Sequence, residues 1–128
     1  MPKLPWSAID VSLDPQTPVV VMASEFKLAS HLHIPAFFRD SLKIRSQVLK
    51  APGAVGMSLD AQIFAKTFRT LSAWRDRKVL NALVKAEPHY SAMARHRPHM
   101  ADSTFVFWEM PAGELPVKWD EATARLSA

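Results

Sequence analysis

The chain has 128 residues, 48% of them hydrophobic, with three glycines, no cysteine and a formal net charge of +4. That length and apolar share suit one domain with a compact core, and the lack of cysteine excludes disulfides, thiolate zinc sites, iron–sulfur ligation and a cysteine nucleophile. No run approaches the roughly 20 apolar residues that cross a bilayer, MPKLPW has no signal-peptide core, and the basic residues form no block, so the expectation is a cytoplasmic protein without membrane insertion, its partner a small apolar molecule and not nucleic acid.

Residues 1–16 hold three prolines and no sustained periodicity, which predicts an extended arm packing through Trp6, Ile9 and Leu13. A core follows over 17–112 and a helical tail over 113–128, all in one domain. PVVVMASEFKL, from Pro18 to Leu28, is rich in β-branched residues and reads as the first strand. Val20, Met22, Phe26 and Leu28 take one face, and Val19, Val21, Glu25 and Lys27 the other. Pro35 opens a helix whose apolar stripe runs through Ile34, Phe37, Phe38, Leu42, Ile44, Val48 and Leu49 and which stops before Ala51-Pro52-Gly53. AVGMSLDA and QIFAKTFRTLSAW are two extended segments that would pair as a hairpin turning at Leu59 to Gln62, with Phe64, Phe68, Ser72 and Trp74 on one face.

Asp76 caps the next helix, which carries Val79, Leu80, Leu83 and Val84 at helical spacing. Pro88 cannot continue that helix but suits the first turn of another, on which His89, Met93 and His96 share a face. STFVFWEM gives the last strand, and Trp119 to Leu126 a terminal helix with Asp120 and Glu121 at its positive end. The order β-α-β-β-α-β is the α+β, ferredoxin-like one: a four-stranded antiparallel sheet with helices on one face. Apolar residues on both sides of the first and last strands then predict a homodimer that covers the other face through Val19 and Val21.

The strings APGAVGMSL, KTFRTLSAWRD, PHYSAM, FVFWEM and LPVKWDEATARL resemble an uncharacterised group of small bacterial proteins in the dimeric α+β barrel superfamily. The chain is similar, more distantly, to spheroidene monooxygenase and the antibiotic-biosynthesis monooxygenases. The likeness covers Pro18 to Leu126 and implies a pocket between sheet and helices for an aromatic, polyketide, carotenoid or haem ligand. It implies, too, that His89 would be the axial ligand if haem is bound. Haem-degrading members place an asparagine on the first strand, where this chain has Ser24, and Trp74 here lies fifteen residues before His89.

His89, at a helix start whose dipole keeps imidazole neutral, is with Trp74 the candidate catalytic pair; its structural alternative is packing on Trp74 or capping a turn. Arg69 and Arg75 bracket Trp74 and, with His89, are the candidate cofactor-binding residues, their guanidinium forks suited to a carboxylate or propionate. Phe37, Phe68, Trp74, Met93 and Trp108 are the expected pocket wall. His96 and His99 read as surface residues at a helix end. His31 and His33 lack a carboxylate at ligand spacing, so no metal site is expected apart from haem iron. No GxSxG, P-loop or HExxH occurs, so hydrolase, nucleotide-binding and zinc-protease chemistry have no motif. Two readings remain. One is a monooxygenase, haem-dependent or cofactor-free, with His89 taking a proton from an acidic aromatic substrate; the other is a non-catalytic homodimer that binds a small ligand or haem.

Overall fold

The structure, a computed structural model, describes residues 3–127. One antiparallel sheet carries five strands in the order β1-β3-β4-β2-β5, formed by Lys3–Ala8, Ala54–Gln62, Thr67–Trp74, Pro18–Leu28 and Met100–Pro111 respectively. Strands β3, β4, β2 and β5 are the expected ferredoxin-like set, and the fifth is a correction: Lys3–Ala8 pairs with β3 at the sheet edge. Pro5 and a register shift between Leu4 and Ser7 hide this strand's periodicity. The β3–β4 turn also falls later than expected, at residues 63–66, with Lys66 in the left-handed region and Phe64 in solvent.

Helix α1 (Ile34–Leu49) crosses the front face of the sheet. Helix α2 (Arg77–Lys85) starts at the Asp76 side chain, which accepts from the Val79 amide at 2.9 Å. Pro88 sits just before helix α3 (His89–His96) and redirects the chain. The Gln47 side chain of α1 holds this corner: its amide nitrogen donates to Leu83 O at 3.3 Å, and its oxygen accepts from the His89 amide at 3.1 Å.

Strand alternation sends Met22, Ser24 and Phe26 to the front and Val19, Val21 and Ala23 to the back. The back face is covered within the single chain. Helix α4 (Trp119–Leu126) and its approach lay Val117 and Ala122 on Val19, Val21, Leu71 and Ala73, while Trp6 and Leu13 close the arm over the same cluster. Gly56 is required there, because a Cβ at this position would collide with the Trp6 ring. The helices therefore occupy both faces, and the reason for expecting a partner over Val19 and Val21 falls away: they are 1% and 0% exposed in one chain.

A charge at Val21 would have no partner in that cluster. Val21→Asp is expected to cost about 3 kcal/mol or more of folding stability, read as a lower urea midpoint at unchanged slope. Loss of association with an unchanged midpoint would instead mark this face as an interface.

Candidate functional site

Between the front of the sheet and helices α1, α2 and α3 lies a cavity of about 510 Å³. Its floor is set by strand parity: Met22, Ser24 and Phe26 of β2 lie beside Thr70, Ser72 and Trp74 of β4. Phe37 from α1 and Met93 from α3 add apolar wall, and His89 stands at the α3 start. The structure thus brings His89, Trp74, Phe37 and Met93 to one concavity.

Trp74 is 1% exposed, and its indole N–H donates to Ser72 Oγ at 2.8 Å. Ser24 and Thr70, register partners on adjacent strands, are hydrogen bonded through their hydroxyls. The floor therefore carries a row of hydroxyls inside an apolar shell. His89 Nδ1 donates to the Val84 carbonyl at 3.2 Å, which assigns the proton to Nδ1 and leaves the Nε2 lone pair without a partner among the described residues. Burial pushes the His89 pKa down from 6.5, with the Val84 hydrogen bond acting weakly the other way. The imidazole is neutral at pH 7.

Four residues expected at the site lie elsewhere. Arg69 is on the back face, its Nε donating to Glu25 Oε2 at 2.7 Å and its Nη1 lying 3.5 Å from Asp60 Oδ2. Arg75 pairs with Asp10 of the arm, and the Ser12 and Arg75 hydrogen bonds lower the Asp10 carboxyl to about 2. Trp108 is across the sheet from the cavity, opposite Val21 in register and under the Arg125 guanidinium. Phe68 backs the wall by packing on Phe37, ring centroids 4.7 Å apart, without lining the cavity. Strand parity governs three of these: Arg69 and Trp108 alternate with cavity-facing neighbours, and Arg75 lies just beyond Trp74.

His96 is a further correction. It is buried, 5% exposed, and donates from Nε2 to Asp40 Oδ2 at 2.6 Å. Arg95 Nη2 reaches the same oxygen at 3.2 Å, and the His96 ring meets Phe37 edge-on at 5.1 Å. Asp40 was missed although a signal was present: it follows Phe37 by one helical turn, on the buried side of α1. His31 is within 3.3 Å of Phe64 O, and His33 stacks on His99. Among the described residues no group of three His, Asp or Glu could hold a metal ion.

Residues 35–128 match the family model described as a domain of unknown function, DUF3291. The chain belongs to that family. No curated protein matches the sequence. Solved structures of similar fold include a Nitrosomonas europaea protein assigned to the antibiotic-biosynthesis monooxygenases, 14% identical with a TM-score of 0.64 over 77% of this chain and 93% of its own. A second antibiotic-biosynthesis monooxygenase is 14% identical with a TM-score of 0.63, over 70% and 95%. SnoaB from Streptomyces nogalater, a cofactor-independent oxygenase, is 12% identical with a TM-score of 0.55, over 70% and 90%. These likenesses establish a monooxygenase-like α+β fold for this DUF3291 member.

The Asp40 contact makes a testable contribution. Burial raises the Asp40 pKa, but the His96 and Arg95 hydrogen bonds outweigh it, so the folded value lies below the ordinary 3.8. Its stabilisation is present above the unfolded pKa and is lost as pH falls through the folded one. Asp40→Asn should lose about 1.5–3 kcal/mol at neutral pH, with the gap to wild type narrowing below about pH 4 in urea titrations. A gap that does not change with pH would show that the carboxylate charge contributes nothing.

Proposed function

We propose that this DUF3291 protein is a monooxygenase-like enzyme acting on a small aromatic substrate in the front-face cavity, with His89 as the proton acceptor. The observation that carries this is the neutral, Nδ1-anchored imidazole of His89 bordering the same apolar cavity as Trp74. A general base works best when unprotonated at the operating pH and close to the group it deprotonates. SnoaB, a relative in fold, is a cofactor-independent oxygenase. On this reading an acidic methylene of the substrate gives its proton to His89 Nε2, and the resulting carbanion supplies the electrons that reduce dioxygen. One oxygen atom enters the substrate as a carbonyl and the other leaves as water, so no external reductant is needed. The Ser72 hydroxyl, already accepting from Trp74, retains its own proton to donate to a developing enolate oxygen.

A haem-dependent reading is favoured by one detail of the donor set. An imidazole whose Nδ1–H is held by a carbonyl leaves Nε2 free to bind haem iron, and His89 has this arrangement. Apolar Phe37 and Met93 would flank the ring. Haem, when bound, would supply oxygen activation; the chain's part would be the His89 Nε2 donor and the dry walls.

Anthrone, an aromatic ketone with an acidic methylene, is a suitable probe, and oxygen uptake is the measurement. Turnover should persist at the ordinary imidazole pKa of 6.5 and fall only at more acidic pH, because burial lowers the His89 pKa and only protonated His89 cannot accept a proton. His89→Ala should reduce it by about 10²–10⁴-fold with little change in thermal midpoint. A lower midpoint with unchanged ligand affinity would make His89 structural, and binding without turnover would leave a non-catalytic carrier. A sharp Soret band on adding haemin, absent in His89→Ala, would select the haem reading.

A homodimer, on our reading, uses the outer edge of β5, since the sheet order leaves that strand unpaired and Phe105 and Phe107 are 50% and 40% exposed along it. Light scattering at micromolar concentration should give a dimer that Phe107→Lys dissociates; a stable wild-type monomer would defeat it.

A further inference from the structure

We propose that the cavity selects an amphipathic carboxylate, its apolar body inside and its carboxylate at the mouth between the α2 end and the segment after α3. This rests on the reading of the cavity as a ligand site and narrows the ligand class.

The charge inventory of the cavity carries the inference. Its lining includes two cations, Lys85 and Arg97, and no aspartate or glutamate. The other arginines all have partners. Arg39 and Arg95 lie against Asp40, Arg69 against Glu25 and Asp60, Arg75 against Asp10, and Arg125 against Glu121. Arg45 donates to Ser7 Oγ at 2.8 Å, and Arg77 stacks over the Phe107 ring at 3.7 Å. The Arg97 side chain has neither an ion pair nor a hydrogen bond among the described residues, and the same holds for the Lys85 side chain. The acids nearest in sequence are engaged elsewhere: Glu87 accepts from the Ser91 hydroxyl at 2.5 Å and its amide at 3.2 Å, and Asp102 accepts from the Ser103 amide at 2.9 Å.

Lys85 ends α2 and Arg97 directly follows α3, where a positive charge is favoured by the helix dipole, and that alone would explain a solvated lysine. It does not explain why Arg97, the arginine without a side-chain partner among the described residues, lines the largely apolar cavity while its neighbour Arg95 is tied to Asp40. A low-dielectric concavity rimmed by one sign of charge concentrates the opposite sign at its entrance, and guanidinium matches a carboxylate with two parallel hydrogen bonds. Both side chains are exposed, so the ligand's charge stays at the wet rim while apolar groups fill the inside. Burying that charge deeper would cost far more than the floor hydroxyls could return. The arrangement therefore orients the ligand head-out and sends its ring toward Trp74 and Ser72.

The test compares pyrenebutyrate with pyrenebutanol, which share an aromatic body and differ in the charged head, by fluorescence titration of the full chain at low salt. Pyrenebutyrate should bind several-fold tighter. Arg97→Gln and Lys85→Gln should each weaken it about two- to fivefold, the range of a partly exposed ion pair, while leaving the alcohol unchanged, and added salt should do the same. Equal affinity for both probes, or loss of both together in the variants, would overturn the charge selection and leave the cavity standing. If neither probe binds, the cavity reading itself fails and this inference falls with it.

Discussion

The bond from His96 to Asp40 is the contact on which the front half of the molecule depends. It joins α3 to α1 across 56 positions of sequence, at 2.6 Å and almost wholly out of water. Without it, the short helix that carries His89 and Met93 would be tied to α1 only by the half-exposed Arg95–Asp40 pair and the Gln47 bridge among the polar contacts of the described residues. A helix of eight residues has no stability of its own, so its position over the sheet is a tertiary property. Phe37, which touches both His96 and the cavity, shares this anchor.

Strand parity divides the sheet into two faces with different work. On β4 the odd residues, Arg69, Leu71 and Ala73, build the back cluster and its ion pairs, while the even ones, Thr70, Ser72 and Trp74, form the cavity floor. A front face made only of large apolar side chains would close on α1. Serine and threonine at Ser24, Thr70 and Ser72 leave room and offer hydrogen bonds in the same positions. The two layers can vary independently, because neighbours along a strand never share a face.

Much of the architecture was legible because it is locally encoded. The β-branched run at Val19–Val21, the stripe on α1, the Asp76 cap and the break at Pro88 each act within a few residues, and each marked its element. The arm strand was not legible, since its pairing is supplied by β3 and its own short sequence is interrupted by Pro5. The destination of α4 was equally hidden: an amphipathic tail shows that it packs, not on which side. At the site, His89 and Trp74 stood out by residue type and position. Their neutral and hydrogen-bonded states depend on Val84 and Ser72, which only the folded chain brings into place. Arg69 and Arg75 looked suited to an anion until Glu25, Asp60 and Asp10 were seen to occupy them. Arg97, whose side chain has no partner among the described residues, sits in a short turn after α3 where sequence pattern has no periodicity to read.

Helix α4 and the arm close the back of the sheet from within the same polypeptide. Integrity of the pocket is thereby separated from mass action: dilution can disperse any assembly of copies without baring Val19, Val21 or Ala23. In the edge assembly proposed above, association can be gained or lost along β5 while each copy keeps its interior.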